Sequence, residues 1–162
     1  MRRALMLVCG LSLAAAAMAQ NWSVFKSDRF GFAMLVAPGT RWEARDFGNG
    51  WGGMHARTGI VEFVGIVRMG HYDAAADMEQ AAVRLTKIPA AAWTLEDKGS
   101  GHNGWKWWRT YRAPIEGTGR IIFAVLGTGP RGSYVLFLET THEDFTANRP
   151  LYQQWYKSLK LY

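Results

Sequence analysis

Four histidines are the side chains best suited to bind a metal or transfer a proton near neutral pH. They are His55, His71, His102 and His142. No two of them have the spacing of zinc ligands on one helix, and the sequence contains no H-E-x-x-H motif. The sequence therefore predicts no metal site and no cofactor. His55 remains a candidate binding residue, because the two glycines shortly before it would let a ligand approach the backbone.

Catalysis by a serine or a carboxylate has little support in the sequence. A serine nucleophile needs a neighbouring base, and no G-x-S-x-G motif is present. Paired carboxylates for glycoside hydrolysis could come from Glu62, Glu139 or Glu116, and Glu62 and Glu139 lie in otherwise apolar segments. Buried, ion-paired carboxylates are the commoner explanation of such a pattern. A hydrolase is therefore a less favoured hypothesis, and it would require His55 and a carboxylate in one pocket.

Aromatic side chains are the most unusual feature of the composition, at 14% of the residues and with eight tryptophans. In a strand, alternate side chains lie on opposite faces. This alternation predicts one face with Trp105, Trp107, Arg109 and Tyr111, and another with Lys106, Trp108, Thr110 and Arg112. Core packing beneath helices would explain tryptophans on both faces. Alternatively, one face is only partly covered, and Trp108, Arg109 and Arg112 are then candidate binding residues for a protein, a sugar or another flat ligand.

The N-terminal segment has the pattern of a cleaved signal peptide over residues 1–19. Arg2 and Arg3 precede an apolar run, and Ala17-Met18-Ala19 is a typical cleavage site. We therefore expect a periplasmic or secreted protein with a single domain over residues 20–162. No later apolar segment is long enough to predict a transmembrane helix. The single cysteine, Cys9, lies in the predicted signal peptide, so no disulfide is expected in the mature chain.

The charge pattern argues against nucleic acid as a partner. The net charge of the whole chain is +6 at pH 7, but the positive residues are scattered along the sequence and form no basic run. Nucleic-acid-binding domains usually concentrate lysine and arginine on one face or along one helix. We therefore expect no nucleic-acid binding.

Hydrophobic patterns predict the order strands, helix, strands, helix. The strands predicted before the first helix are residues 21–26, 30–36, 40–47, 51–57 and 60–69. Asp73 is the predicted N-cap of a helix that ends at Pro89. A strand over residues 94–98, three antiparallel strands within residues 104–141 and a helix beginning near Pro150 follow. This order predicts an α+β fold with one mostly antiparallel central sheet and a helix on each face.

Two segments of the chain resemble the PsbP/Mog1/DcrB-like superfamily. The opening segment is FKSDRFGF (residues 25–32) followed by VAPGTRW (residues 36–42), and the closing segment is WYKSLKL (residues 155–161). The helix placed after two hairpins is similar to the same superfamily. The resemblance implies an α/β/α sandwich and a non-enzymatic role in binding or assembly. The superfamily shares no single ligand site, so the resemblance assigns no functional residue.

The leading functional hypothesis is an exported, non-enzymatic domain that acts through a protein partner in the bacterial envelope. The sequence does not identify that partner. The alternative is a small-molecule or glycan-binding module that uses the tryptophan-rich strand. An inhibitor or immunity protein of an exported enzyme is a further hypothesis, beside the hydrolase.

Overall fold

The computed structural model describes residues 21–162, so the predicted signal peptide and Cys9 lie outside the described residues. The strands of the described chain are β1 (Ser23–Ser27), β2 (Phe32–Val36), β3 (Arg41–Gly48), β4 (Trp51–Thr58), β5 (Val61–Met69), β6 (Thr94–Gly99), β7 (Trp107–Ile115), β8 (Arg120–Gly129), β9 (Gly132–Thr141) and β10 (Lys160–Leu161). The helices are α1 (Ala75–Thr86), α2 (His142–Ala147) and α3 (Arg149–Ser158), and a 3-10 turn covers Ala90–Ala92. Within residues 21–162, no helix combines the length and apolar character needed to cross a membrane.

The strands form two antiparallel sheets. A seven-stranded sheet has the order β3-β4-β5-β9-β8-β7-β6, and a three-stranded sheet has the order β1-β2-β10. The α+β class and the antiparallel neighbours β7, β8 and β9 are confirmed. The prediction of one sheet is not confirmed, because β2 pairs with β1 and β10 instead. The side chains of β2 are almost all buried, so this strand is layered on the large sheet and does not extend its edge.

Alternation along the central strands directs apolar side chains to both faces of the seven-stranded sheet. In β9, Tyr134, Leu136 and Leu138 lie on one face, and Val135 and Phe137 lie on the other. All five side chains are buried. A strand that is apolar on both sides requires a covering layer on each side, and the remaining elements provide these layers.

Different elements cover the two faces. The first core lies between the seven-stranded sheet, the three-stranded sheet and α3, and it includes Phe32 and Met34 of β2 and Trp155 of α3. The second core lies beneath α1, which contributes Met78 and Ala81. A helix is therefore present on each face, but one face also carries the second sheet.

Helix α1 begins later than the sequence predicts. Its N-cap position is Ala74, which makes no side-chain capping hydrogen bond. The backbone N–H of Asp73 instead donates to Ser133 Oγ at 2.8 Å, and the Asp73 carboxylate lies 3.4 Å from Arg68 Nη1. These bonds tie the segment before the helix to the sheet. The helix ends at Thr86, where Lys87 has a left-handed backbone with φ 64°, two residues before Pro89.

The two sheets approach each other closely at Gly65 of β5. The ring of Phe32, which is 0% exposed, lies against this glycine. A Cβ atom built at Gly65 would overlap atoms of the Phe32 ring. A residue without a side chain is therefore required where the ring of one sheet rests on the backbone of the other.

Gly65→Ala should lower the free energy of unfolding by about 1–3 kcal/mol, because the added methyl group must displace the Phe32 ring. Gly52→Ala is the matched control: Gly52 lies in β4, and a Cβ there would make an ordinary 3.4 Å contact with Phe30 Cε1. Urea denaturation monitored by tryptophan fluorescence measures both variants. Equal losses of stability in the two variants would contradict the close contact at Gly65.

Tyr134 places a phenol in the first core. Its side chain is 0% exposed, and its ring meets Trp105 edge-on with the ring centroids 6.1 Å apart. The hydroxyl has no hydrogen-bond partner among the described residues. Burial disfavours the charged phenolate and raises the pKa of Tyr134 to about 12.

The free energy of unfolding should therefore fall as the pH rises from 10 to about 12. Below this range the phenol is protonated in both states and adds no pH dependence. Within the range only the unfolded chain loses the proton, which favours unfolding. Tyr134→Phe removes this proton, so its stability should depend less on alkaline pH than that of the wild type. Urea denaturation on both sides of the ordinary tyrosine pKa tests this, and identical pH dependence in the two proteins would refute it.

Candidate functional site

A groove of about 740 Å³ lies between α1 and the strands β6 and β7. We call it the α1–β7 groove. Its walls include Glu79, Val83 and Arg84 from α1, Trp93 from the segment after the 3-10 turn, and Arg109 and Tyr111 from β7. The volume is within the range of small-ligand sites, which is roughly 300–1,000 Å³.

The helical repeat explains how α1 serves both the core and the groove. Met78, Ala81 and Ala82 face the sheet and are buried. Glu79 and Val83 are four residues apart, so they form an adjacent stripe that lines the groove. The helix packs on β8 and β9, and this position leaves the neighbouring face of β7 open beside it. The groove is therefore bounded by one helix edge and by strands that the helix does not cover.

Glu79 is held at the groove wall by two donors from β7. Arg109 Nη1 lies 2.5 Å from Glu79 Oε1, and the Tyr111 hydroxyl donates to the same oxygen. Arg109 and Tyr111 are two residues apart in the strand, so their side chains point to the same face. Burial, together with the hydrogen bond to Glu79, raises the pKa of the Tyr111 phenol above its ordinary value. Tyr111 is therefore a neutral donor at physiological pH.

Aromatic and aliphatic side chains form the remaining wall. The Trp93 ring meets the Tyr111 ring edge-on, with centroids 6.1 Å apart and an interplanar angle of 87°. Trp93 Nε1 donates to the Ile88 carbonyl at 3.2 Å, which fixes the orientation of the indole. Leu95 lies opposite Tyr111 in β6 and remains 45% exposed at the rim of the groove. The groove thus combines an apolar wall with a few convergent polar groups.

Positive charge exceeds negative charge around the groove. Arg84, in the last turn of α1, is an exposed wall residue. Lys98 of β6 lies directly across from Arg109 of β7, so the two cations share one face of the sheet. Neither Arg84 nor Lys98 forms an ion pair with any residue from 21 to 162. Glu79 is the acidic residue of the groove lining, beside the cations Arg84 and Arg109, and Lys98 lies next to the lining.

The structure separates the three binding residues expected on the tryptophan-rich strand. Arg109 lines the groove, whereas Trp108 and Arg112 lie on the opposite face of β7. The Trp108 ring lies over Gly99 and meets Tyr156 of α3 edge-on at a centroid distance of 5.6 Å. Arg112 Nη2 forms an ion pair with Glu96 Oε1 at 2.9 Å.

Trp105 does not share a face with Trp107, contrary to the prediction. The strand begins at Trp107, and Trp105 instead forms an isolated bridge with His102. Gly104 precedes it with φ 85°, so the chain turns at this point and does not continue as an extended strand. Trp105 is buried in the first core, while Trp107 packs against the second core.

His55 lies away from the groove, on β4. Its Nε2 atom is 3.5 Å from Glu62 Oε2, and Arg57 Nε is 3.6 Å from the other oxygen of the same carboxylate. Glu139 lies across from Glu62 in the neighbouring strand β9 and is paired with Arg120. Glu62 and Glu139 are therefore ion-paired, and neither they nor Glu116, the third carboxylate considered for hydrolysis, line the α1–β7 groove.

No group of three or more His, Cys, Asp or Glu side chains within residues 21–162 is arranged to hold a metal ion.

Sequence reasoning missed Glu79 and Trp93 as site residues. Glu79 has the ordinary appearance of an acidic residue early in a helix, and Trp93 follows a run of alanines that indicates no regular element. Only the position of α1 on the sheet brings Glu79 to Arg109 and Tyr111. A partial signal was present, since Glu79 and Val83 follow the helical repeat beside the predicted apolar stripe.

Comparison with known proteins reveals similarity of fold. Neither protein-family models nor curated protein sequences give a match to the chain. Among solved structures, the chain is similar to the solution structure of cyanobacterial PsbP (CyanoP) from Synechocystis sp. PCC 6803. The TM-score is 0.58 at 14% sequence identity, and the match covers 88% of this chain and 93% of the cyanobacterial protein. The chain therefore has a PsbP-like fold, in agreement with the resemblance of its opening and closing segments.

Proposed function

We propose that this chain is an exported, non-enzymatic binding protein and that the α1–β7 groove is its ligand site. The observation that carries the proposal is the composition of the groove: an aromatic and aliphatic wall with Glu79, Arg109 and Tyr111 converging on one side. Small-ligand sites are usually concave, mainly apolar and equipped with few oriented polar groups. Of the sequence-based hypotheses, the groove favours the small-molecule alternative.

The arrangement of the charged groups supports a role without catalysis. Glu79 accepts hydrogen bonds from both Arg109 and Tyr111, so its Oε1 atom is already engaged by two donors of the protein. Glu62 and Glu139 are each paired with arginine. The PsbP-like fold supports the same conclusion, because the superfamily resemblance implies binding or assembly. The signal-peptide pattern over residues 1–19 supports export to the periplasm or the exterior.

A small-molecule screen by nuclear magnetic resonance should locate binding in the groove. The probes are small ring compounds in neutral, anionic and cationic forms, including monosaccharides, and amide shifts of the ¹⁵N-labelled protein are the readout. We expect the largest shifts at Glu79, Val83, Trp93, Arg109 and Tyr111, because these residues line the groove. Ala90→Phe should weaken binding, since Ala90 lines the groove and a phenyl ring there would occupy part of the space that a ligand needs.

Ala91→Phe is the matched control for this experiment. Ala91 is the next residue of the same 3-10 turn, is exposed and does not line the groove. Binding should therefore be unchanged in this variant. The proposal would be refuted by probes that shift residues elsewhere only, or by binding that is as tight in Ala90→Phe as in Ala91→Phe.

A protein partner is the second candidate, and the exposure of Leu95 favours it. This side chain is 45% exposed on the edge strand β6, at the rim of a groove walled by Trp93, Arg109 and Tyr111. Tryptophan, tyrosine and arginine are the residue types that most often anchor protein interfaces. A partner's apolar side chain inserted into the groove would cover Leu95 at the same time.

Crosslinking of the purified protein in its own envelope extract tests this second candidate. A stoichiometric partner should be captured by the wild type and by Ala91→Phe, and captured more weakly by Ala90→Phe, because only the latter places a ring in the groove. Circular dichroism would verify that both variants are folded. Equal capture by all three proteins would place the interface away from the groove.

A further inference from the structure

We propose that the ligand of the α1–β7 groove is an aromatic carboxylate, with its ring against the Trp93–Tyr111 wall and its carboxylate paired with Arg109. This inference rests on the proposed function and specifies the chemical class of the ligand. Three features of the groove carry it: the excess of positive charge, the remaining donors of Arg109, and the apolar wall beside them.

The charge balance favours an anion over a neutral or cationic ligand. Arg84 and Arg109 line the groove, and Lys98 lies across from Arg109 on the same face. Like charges directly opposite in a strand pair repel each other. Glu79 compensates one of the three cations through its contact with Arg109. A ligand carboxylate would compensate a second and relieve the repulsion between Lys98 and Arg109.

Arg109 has the geometry to bind such a carboxylate. Its hydrogen bond to Glu79 uses Nη1, and a guanidinium carries five N–H donors in a planar fork. The side chain is 36% exposed and lines the groove, so part of the fork can reach a ligand. Arginine binds carboxylates through two parallel hydrogen bonds, which are stronger than neutral ones. Tyr111 and the Glu79 carboxylate hold the guanidinium in place on one side.

The wall next to Arg109 favours a flat ring as the body of the ligand. Trp93 and Tyr111 are rigid, since each is fixed by a hydrogen bond and the two rings contact each other. Val83 and Leu95 add aliphatic surface. Aromatic rings pack on such surfaces by offset or edge-to-face contacts. A cationic ligand is disfavoured, because the wall's acidic residue, Glu79, already accepts from two donors.

A matched set of probes tests the charge of the ligand. Binding of 2-naphthoate, 2-naphthalenemethanol and 2-naphthylmethylamine is measured by amide shifts and by calorimetry, with acetate as a carboxylate without a ring. We expect 2-naphthoate to bind at least about tenfold more tightly than the neutral alcohol, a difference of about 1.4 kcal/mol, and the amine to bind most weakly. Acetate should bind too weakly to saturate. Added salt should weaken the naphthoate complex.

Variants of Arg109 and Lys98 test whether these cations cause the preference for naphthoate. Arg109→Gln should remove the preference for naphthoate over the alcohol, because it removes the charged fork. Lys98→Gln should reduce the same preference, and it provides a second variant with an exposed side chain should Arg109→Gln fold poorly. Lys157→Gln is the charge-matched control, since Lys157 is an exposed residue of α3 on the other side of the sheet.

The possible outcomes distinguish an error in the ligand class from an error in the location of the binding site. Preference for naphthoate that is lost in the groove variants and kept in Lys157→Gln would establish the inference. Equal or tighter binding of the alcohol or the amine, weakened by Ala90→Phe, would overturn the anionic ligand while leaving the groove as a binding site. Naphthoate binding that is undiminished in Ala90→Phe, or no binding of any probe, would overturn the inference and count against the groove as well.

Discussion

The seven-stranded sheet is much wider than α1, the single helix that covers one of its faces, and this difference leaves the α1–β7 groove open. Seven strands with a spacing of about 4.8 Å extend over about 29 Å, whereas one helix is only about 10 Å wide. Helix α1 packs on β8 and β9, near the middle of the sheet. Sheet surface therefore remains on both sides of the helix. On one side it forms the α1–β7 groove, and on the other it carries the charged residues around Glu62 and Glu139.

These two flanking surfaces are chemically different. The charged residues beside β4 and β5 are neutralised among themselves, since Glu62 lies near His55 and Arg57, and Glu139 is paired with Arg120. The groove beside β7 is not balanced in this way, because Arg84 and Lys98 have no acidic partner in residues 21–162. Its apolar wall is also only partly covered, as Leu95 shows. The cations without acidic partners and the partly exposed apolar wall therefore both lie at the α1–β7 groove.

Local sequence patterns predict much of the secondary structure correctly. The apolar and aromatic runs within residues 104–141 form neighbouring antiparallel strands, and the apolar stripe of α1 is buried. These features depend on periodicity, which a sequence displays directly. The assignment of β2 to a separate sheet depends on its distant partner β10, and no local pattern contains this pairing. The prediction for Trp105 is wrong for a similar reason, since the chain turns at Gly104 and the regular alternation begins only at Trp107.

The sequence predicts only some of the residues of the candidate site. Arg109 was selected from its place in an aromatic strand, and it does line the groove. Its partner Glu79 lies thirty residues earlier along the chain, and their contact depends on how α1 rests on the sheet. Asp73 is a second example. Its sequence position predicts a helix N-cap, but its backbone N–H donates to Ser133 Oγ on a distant strand instead. Contacts between side chains on different helices and strands depend on the tertiary arrangement, which local propensities do not predict.

The small sheet also affects the order in which the chain can fold. Its central strand β2 lies near the beginning of the described chain, while β10 and α3, which cover it, lie at the other end. Because synthesis proceeds from the N-terminus, Phe32 and Met34 lack the cover of Trp155 until that residue has also been made. Contacts of such long sequence separation are slow to form. The N-terminal segment is therefore the part of the chain that most needs protection from aggregation during synthesis.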